Sequence, residues 1–226
     1  MSRIAPIEAG QITPDTRERL IEAAGEVFAE RGFRDATVRE ICTKAGANIA
    51  AINYHFRDKS GLYLVVLKSA HERAERAFPF VFDGKPVEEA PARDQLRAFV
   101  VITLQRLMDP GKPTWHWRLM VREMVDPTPA LDELVAQSIR PKRDLIVSIV
   151  RGVVGESVPQ DVVEACARSV IGQIFFHKNN RAVIERLFPN VSFDEVGQRA
   201  IGEHIARFSL AALDQIAGEY TQGGPL

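Results

Sequence analysis

The chain is poor in the features that mark secreted, membrane and redox proteins. It has only two cysteines, Cys42 and Cys166, far apart and each within an apolar helical pattern. We expect reduced thiols in the core of a cytoplasmic protein rather than a disulfide or a redox switch. No apolar run approaches the roughly 20 residues of a membrane span, and the N-terminus lacks the apolar core of a signal peptide. These absences favour a cytoplasmic protein without a membrane partner.

The chain also lacks the spacings that mark metal sites and catalytic centres. Its five histidines form no HxxxH or HExxH pattern, and there is no CxxC, so no metal site is expected. There is no GxSxG, no P-loop and no GxGxxG after a strand. We find no catalytic constellation and expect neither an enzyme nor a bound cofactor.

Acidic and basic residues almost balance, which excludes a protein that is basic throughout. There are 29 Lys and Arg against 30 Asp and Glu, so the formal net charge is -1. The charge is unevenly spread, because basic residues outnumber Asp35, Glu40 and Asp58 in one short segment. These basic residues are Arg31, Arg34, Arg39, Lys44, Arg57 and Lys59. Such a local excess is what contact with phosphates requires.

The segment from Thr37 to Lys59 predicts two short helices, joined by a tight turn and followed at once by a third helix. Thr37 is expected to cap the first helix, and Glu40 completes a capping box. Gly46 marks the end of that helix, and Asn48 is a good cap for the next one. The apolar face of the first helix follows helical spacing and consists of Val38, Ile41, Cys42 and Ala45.

The second short helix has an inner and an outer face of different chemistry. Ile52 and Phe56 supply the inner face. The outer face carries no acidic side chain, and its residues are Ile49, Ala50, Asn53 and Tyr54. A short helix of this kind, ringed by basic residues, suits insertion into the major groove of DNA between two phosphate ridges.

Together these residues resemble the signature of a TetR-type transcriptional regulator. The matching run is a helix that ends EVFAERGFRDATVREI, the turn AGAN, the segment AAINYHF and the start of a fourth helix, DKSGLYLVVL. Two later runs, WRLMVREMVDPTPALDELV and VIGQIFFHKNNRAVIERL, resemble the subgroup with a CecR-like C-terminal domain. The resemblance implies an all-α fold. A three-helix helix-turn-helix domain would occupy 1–58, after a loose arm at 1–12, and a helical effector-binding and dimerisation domain would occupy 59–226.

Asn53 is the outer-face side chain best able to read a base, because its amide can pair bidentately with adenine. Ile49 and Ala50 offer only apolar contact, for example to a thymine methyl. The resemblance implies that Tyr54, His55 and Lys59 contact phosphates, and that Thr37 caps a helix end facing the DNA backbone. The predicted DNA-binding residues are therefore Thr37, Asn48, Ile49, Ala50, Asn53, Tyr54, His55 and Lys59.

Helical patterns fill most of the remaining chain, without a repeat. A first helix, capped by Thr13, is expected to end at Gly32. Residues 79–91 read as a connection without a convincing strand. Thr128 is expected to cap a helix that Pro141 should kink or break. Further helices are predicted at about 59–77, 93–108, 115–125, 160–177 and 193–220.

Small and apolar residues on the last two helices favour a two-fold interface of four helices, which is also where TetR-type proteins usually dimerise. The predicted interface residues are Val170, Ile174, Ile201, Ile205, Phe208 and Ala212. The alternative is that these side chains form the core of a monomer.

The resemblance also implies a small-molecule site among the central helices of the second domain. A pocket needs aromatic bodies and a few polar tips, and the candidates are Phe99, Thr103, Trp115, Arg118, Arg122, Gln173, Phe176 and His177. The same aromatics equally suit a packed core. Arg118 and Arg122 lie four residues apart on one helix face, next to Glu123. They predict either an anion site or a salt-bridge network.

The resulting hypothesis is a homodimeric regulator that binds double-stranded DNA at a palindromic operator. As a repressor, it would leave that operator when a small organic effector binds. An effector can do this only through a difference in affinity between two states. Two alternatives stay open. One is a DNA-binding dimer that needs no effector, and the other is a helical enzyme or ligand carrier.

Overall fold

A computed structural model describes residues 15–77, 79–82, 85–86, 89–109 and 114–221. These residues are almost entirely helical, which confirms the all-α class. The exception is a two-residue antiparallel ladder of Val81–Phe82 (β1) and Lys85–Pro86 (β2), where the sequence predicted no strand. The predicted Thr13 cap lies outside the described residues. The helices are α1 Thr16–Asp35, α2 Val38–Ala45, α3 Ile49–Phe56, α4 Lys59–Ala77, α5 Ala92–Met108, α6 Thr114–Val125, α7 Ala130–Leu134, α8 Arg140–Val154, α9 Gln160–Asn179, α10 Arg181–Leu187 and α11 Glu195–Thr221.

The chain divides into two compact units. In the described part, the first unit comprises 15–67 and 114–131, and the second comprises the residues between 68 and 109 together with 132–221. The predicted boundary at residue 58, between a DNA-binding domain and an effector-binding domain, stays a prediction. The compact units reflect packing instead, so the first unit includes the start of α4 and all of α6.

In the first unit, α1 is the helix on which α2, α3 and α6 pack. Its buried side chains recur at helical spacing, and Leu20 and Phe28 are fully inaccessible to solvent. Ile41 of α2 and Ile52 of α3 are fully buried as well. Each such side chain contributes about 1.5–3 kcal/mol through removal from water. The ring of Tyr63 meets that of Phe28 edge to face, with centroids 4.8 Å apart.

The docking of α6 on α1 depends on two glycines of α1. Trp115 lies where a side chain of Gly25 would be, since a Cβ built there falls 2.3 Å from its ring. The Trp115 indole N–H donates to Glu22 Oε2 at 3.0 Å. Gly32, where the sequence predicted the end of the helix, has φ 82° and interrupts the helical backbone of α1, which resumes and runs to Asp35. There the Arg122 guanidinium donates to the carbonyl of Glu30 at 3.3 Å and to that of Arg31 at 3.1 Å.

A buried carboxylate ties α6 to α4 inside the first unit. Glu123 is fully inaccessible to solvent. It accepts a hydrogen bond from the Tyr63 hydroxyl at 2.5 Å and, through its other oxygen, from the backbone N–H and hydroxyl of Thr128, both at 2.9 Å. Thr128 also caps α7 as predicted, because its Oγ1 accepts from Ala130 N at 3.2 Å. Burial of a charge is costly unless it is hydrogen-bonded, and these three donors meet that requirement.

The second unit is a helical bundle in which α5, α8, α9 and α11 pack around one apolar core. Leu96 and Leu104 of α5 are fully buried against residues such as Ile146 of α8 and Ile174 of α9. The bidentate ion pair of Arg93 with Asp214, at 2.6 and 2.9 Å, joins α5 to α11 at the surface. This core explains why the apolar stripes of α9 and α11 are longer than a dimer interface alone requires.

Pro141 changes the winding of its helix instead of breaking it. Residues Val135–Ile139 form a π turn between α7 and α8, and Arg140 N–H bonds to Val135 O, five residues earlier. Proline has no N–H and clashes with the carbonyl four residues before it. The wider π turn places Pro141 in the first turn of α8, where that missing donor does no harm. The helix therefore continues through Pro141 without the predicted break, while the predicted kink stays a prediction.

Among the described residues, no helix combines the length and the apolar character needed to cross a bilayer. The sequence did not predict α10, which follows α9 after Asn180.

Candidate nucleic-acid interface

The turn between α2 and α3 has the geometry that its sequence predicts. Gly46 has φ 60° and ψ 41°, and its N–H bonds to the last carbonyls of α2. Ala47 N–H bonds to Cys42 O at 3.0 Å. Asn48 then caps α3, because its Oδ1 accepts from Ala50 N at 2.7 Å. These local bonds fix the direction in which α3 leaves the turn.

The outer face of α3 is the exposed surface on which recognition would take place. Ile52 and Phe56 are buried beneath it. Ile49 is about half exposed, and the Tyr54 side chain is 85% exposed. Ala50 and Asn53 are exposed too. These four predicted DNA-binding residues therefore share one accessible surface, with an amide at its centre and apolar groups at its start.

Thr37 caps α2, but only half of the predicted capping box is present. Its Oγ1 accepts from Glu40 N at 3.2 Å. The Glu40 carboxylate does not return to the Thr37 backbone. Instead it accepts from Arg31 Nε at 2.7 Å. The charged Arg31 guanidinium is a stronger hydrogen-bond donor to a carboxylate than a backbone N–H is. This difference explains why the second half of the capping box is absent.

Three of the six basic residues in the segment 31–59 are neutralised by carboxylates within the first unit. Arg31 pairs with Glu40, Arg34 lies 3.6 Å from Asp126, and Lys44 forms an ion pair with Glu26. The Lys44–Glu26 hydrogen bond raises the pKa of Lys44. Arg39 and Arg57 are exposed and form no ion pair with a described residue. These two arginines, absent from the predicted DNA-binding set, become the strongest candidates for phosphate contact.

Lys59 and His55 lie at the edge of the same surface and are both half-buried. The Lys59 ammonium donates to the carbonyl of Arg34 at 3.2 Å and lies 4.7 Å from the centroid of the Phe33 ring. It therefore also closes the C-terminal end of α1. The His55 ring packs edge to face against Tyr54, with centroids 4.9 Å apart. The predicted phosphate contacts of these residues stay predictions.

Two protein-family models match this chain over both of its parts. Bacterial regulatory proteins of the tetR family match residues 20–66. The C-terminal domain of the HTH-type transcriptional dual regulator CecR matches residues 92–213, more than half of the chain. The chain belongs to the TetR family, with a CecR-type C-terminal domain.

Curated TetR-family relatives resemble it to different extents. CecR of Shigella flexneri is 26% identical over 200 residues, which cover 84% of this chain and 87% of that protein. The repressor AcnR of Corynebacterium glutamicum is 33% identical over 111 residues, 46% of this chain and 57% of that protein. The regulator SrpR of Pseudomonas putida is 41% identical over 64 residues, 28% of this chain and 30% of that protein. The matches thus span just over half of AcnR and less than a third of SrpR.

Solved structures of regulators share the fold. A putative transcriptional regulator from Pseudomonas aeruginosa PAO1 has a TM-score of 0.65 at 24% identity, covering 88% of this chain and 93% of that one. A putative fatty acid metabolism regulator of Clostridium perfringens has a TM-score of 0.61 at 18% identity, covering 85% and 97%. On the family evidence, this TetR-family chain is a DNA-binding transcriptional regulator rather than an enzyme.

The predicted dimer residues of this TetR-family chain fall into two sets. Val170, Ile174, Ile201 and Ile205 are buried in the core of the second unit. Phe208, 62% exposed, and Ala212 lie on the surface of α11. Both line an open groove of about 560 Å³ between α9 and α11, together with small residues of α9 such as Ala165 and Ser169.

The predicted effector residues are distributed over both units. Trp115, Arg118 and Arg122 belong to the first unit, where Trp115 is buried against α1 and Arg122 holds its end. Arg118 is exposed. The other five belong to the second unit, where they occupy different places.

Phe99 is buried in the bundle core, and Thr103 is half-buried on the same helix. Gln173 donates to Ser209 Oγ at 3.2 Å beside the α9–α11 groove. Phe176 and His177 line a separate groove of about 510 Å³ with residues of α10 and α11. Sequence spacing had grouped these residues by chemistry, but the helices carry them to different surfaces.

Proposed function

We propose that this protein is a homodimeric repressor that binds a palindromic operator in the cytoplasm and leaves it when a small organic molecule binds. The observation that carries the proposal is the outer face of α3. Ile49, Asn53 and Tyr54 are exposed there on a helix whose start is fixed by the Asn48 cap and whose inner side chains are buried. A rigid helix with accessible amide and apolar groups matches the donor, acceptor and methyl pattern of the major groove.

Electrostatics supports the same surface. Arg39 is exposed on α2, and Arg57 is exposed at the C-terminal end of α3. Phosphate contacts by such residues position a protein on the duplex, while base contacts specify the sequence. The near-zero net charge of the whole chain does not oppose this arrangement, because the phosphates meet only the local field.

The second copy is proposed to cover the groove between α9 and α11. Phe208 is a large apolar side chain that a monomer leaves largely exposed, and the small residues beside it allow close approach of helices. A two-fold dimer presents two α3 helices, and its symmetry requires a palindromic operator.

Release by an effector is proposed from the placement of α6. This helix lies between α5 and α7 in the sequence, yet it packs on α1 inside the unit that carries α3. A shift in the position of α6 on effector binding would change the packing of α1, on which the DNA-contacting helix α3 also packs. Repression follows most simply, because a dimer lying on a promoter blocks access to it.

The test is a titration of purified protein on the duplex that it selects, followed by fluorescence anisotropy. Addition of single compounds from a panel of small organic molecules should raise the dissociation constant for at least one compound. Sedimentation of the free protein should give a dimer at micromolar concentration. Tight binding that no compound changes would favour the effector-independent factor, and a monomer that binds one half-site would contradict the palindrome.

A further inference from the structure

The large apolar side chains that the second unit exposes most are clustered in one part of its sequence. Among the described residues of this unit, six large apolar side chains are more than half exposed, and all six fall between residues 176 and 208. They are Phe176, Val183, Leu187, Phe188, Val196 and Phe208. Monomeric proteins rarely expose large contiguous apolar patches, and those that do occur mark interaction sites.

Three of these side chains line one open groove where α9, α10 and the start of α11 meet. Phe176, Phe188 and Val196 belong to this α10 groove, whose volume is about 510 Å³. Val183 and Leu187 of α10 are sequence neighbours of two residues that line it, and they stand one helical turn apart. The apolar patch therefore extends from the groove along α10.

The α10 groove has almost no charge of its own. Among the described residues that line it, Asp194 is the only aspartate, glutamate, lysine or arginine. Its carboxylate accepts from the Gly197 N–H at 2.8 Å at the start of α11, and this bond lowers the pKa of Asp194. On α10, Arg181 and Glu185 neutralise each other through an ion pair of 2.8 Å. This chemistry favours an apolar partner surface over a charged ligand.

The α10 groove is continuous with the groove between α9 and α11, where the second copy is proposed to pack. His204 lines the α10 groove, and its ring centroid lies 6.4 Å from that of Phe208, which lines the other groove. Ala200, one turn before His204, lines the first groove, and Ala212, one turn after Phe208, lines the second. One stripe of α11 without a charged side chain thus borders both grooves.

The α9–α11 groove alone supplies only part of the area that a stable dimer needs. A standard interface buries about 800 Å² on each partner. A fully buried phenylalanine removes about 150–250 Å² from water, so the 62% exposed Phe208 supplies roughly 90–160 Å². Exposed neighbours in that groove, such as Ala165 and Ala212, are small. All six exposed side chains together supply roughly 500–700 Å², which approaches the required area.

We propose that α10 and the α10 groove belong to the interface with a second copy of this chain. This proposal rests on the proposed homodimer, to which it adds a second contact region beyond the α9–α11 groove. A two-fold interface pairs a surface with itself, and this surface has both an exposed apolar edge, Val183 and Leu187, and a groove beside it. Phe176 and His177, expected from the sequence to bind an effector, then belong to the dimer contact.

Sedimentation equilibrium of the full chain tests the α10 contact. Leu187→Glu should raise the dimer dissociation constant at least about hundredfold, because a lost contact worth about tenfold counts once in each copy. Val183→Glu provides the same test if circular dichroism shows Leu187→Glu to be unfolded. The matched control is Val125→Glu, since Val125 is 80% exposed on α6 in the first unit, and it should keep the wild-type constant. A wild-type constant in folded Leu187→Glu would overturn the assignment.

Hydrogen exchange shows whether a partner covers α10. The comparison is between the wild-type dimer and the monomer obtained with Phe208→Glu or by dilution. The amides of residues 184–188 should exchange at least about tenfold faster in the monomer, because a helix of seven residues depends on packing for its stability. The amides of 146–150 in the core of α8 are the reference and should exchange equally. Equal exchange of 184–188 in both states would contradict the contact.

The same measurements separate this contact from the proposed function. A dimer lost in Phe208→Glu but unchanged in Leu187→Glu keeps the proposed homodimer and overturns the α10 contact. A dimer that requires Leu187 but selects no palindromic duplex keeps the α10 contact and contradicts the proposed function. A monomeric wild type whose binding to phosphatidylcholine vesicles is lost in Leu187→Glu would assign the face to a lipid surface and overturn the second-copy proposal.

Discussion

The Tyr63 hydroxyl donates to the fully buried carboxylate of Glu123 at 2.5 Å, across 60 residues of sequence. Together with the two hydrogen bonds from Thr128, this bond supplies hydrogen-bond donors to both oxygens of the buried Glu123 carboxylate within the first unit. Burial and the hydrogen bond to Glu123 raise the pKa of Tyr63 well above its ordinary value. This hydrogen bond links α4, which follows directly after the α2–α3 helix-turn-helix, to α6, which packs on α1.

The first prediction concerns the strength of this bond. Tyr63→Phe should lower the free energy of unfolding by about 1–3 kcal/mol, because it leaves a buried carboxylate with one donor fewer. Tyr54→Phe is the control, since Tyr54 is largely exposed and its change should stay within about 0.5 kcal/mol. Urea unfolding measures both. Equal stability of the two variants would contradict the role given to Glu123.

The second prediction is a pH dependence. A tyrosine whose pKa is raised by folding stabilises the native state fully below its unfolded pKa of about 10. Above that pH the unfolded chain loses the proton while the folded chain keeps it, so stability falls. The stability advantage of wild type over Tyr63→Phe should therefore shrink between about pH 9.5 and 11. A constant difference in stability between wild type and Tyr63→Phe over that pH range would show that folding does not raise the pKa of Tyr63.

The third prediction uses two glycines. Gly25→Ala should destabilise the protein by at least about 1–3 kcal/mol, because the new Cβ meets the Trp115 ring at 2.3 Å and overpacks the core. Gly218→Ala is the control, since nothing lies within 4 Å of its Cβ in α11. It should be neutral or stabilise by up to about 1 kcal/mol. A tolerated Gly25→Ala would place α6 elsewhere.

The fourth prediction separates core from interface on α11. Phe208→Glu should give a folded monomer in sedimentation, because it puts a charge into the proposed dimer contact. Ile205→Glu should unfold the chain, since Ile205 is buried in the bundle itself. Val125→Glu serves as the exposed apolar control and should stay dimeric. A dimeric Phe208→Glu would exclude the groove between α9 and α11 as the interface.

The fifth prediction compares a paired with an unpaired arginine. Arg39→Gln should reduce the slope of log affinity against log salt by about 0.9, the value for one lost phosphate contact on duplex DNA. Arg31→Gln should reduce it less, because Arg31 is already paired with Glu40. Anisotropy at several salt concentrations measures both slopes. The same slope for wild type and Arg39→Gln would remove Arg39 from the DNA surface.

Local sequence signals were sufficient to predict the α2–α3 helix-turn-helix. The Thr37 and Asn48 caps, the Gly46 turn and the buried pair Ile52 and Phe56 all depend on neighbours within a few residues, and the structure confirms each of them. The second half of the capping box was wrong because Arg31, nine residues away, competes for Glu40.

Long-range packing explains what the sequence did not predict. Trp115 and Arg122 have the chemistry of a pocket lining, but α6 packs on a helix some 90 residues earlier, and periodicity carries no information on such pairings. The π turn could not be predicted from the sequence, because it depends on how the ring of Pro141 fits against the preceding helical turn in three dimensions.

The most direct test of the central claim is a selection of bound duplexes from a random pool by purified wild type and by Asn53→Ala. Wild type should enrich an inverted repeat whose half-sites lie about 34–36 Å apart, or a multiple of that distance, centre to centre. Asn53→Ala should lose about 1–3 kcal/mol on the enriched duplex and little on a scrambled one, whereas the exposed Asn179→Ala on α9 should match wild type. Enrichment of no sequence, or equal losses on both duplexes for Asn53→Ala, would contradict recognition through the outer face of α3.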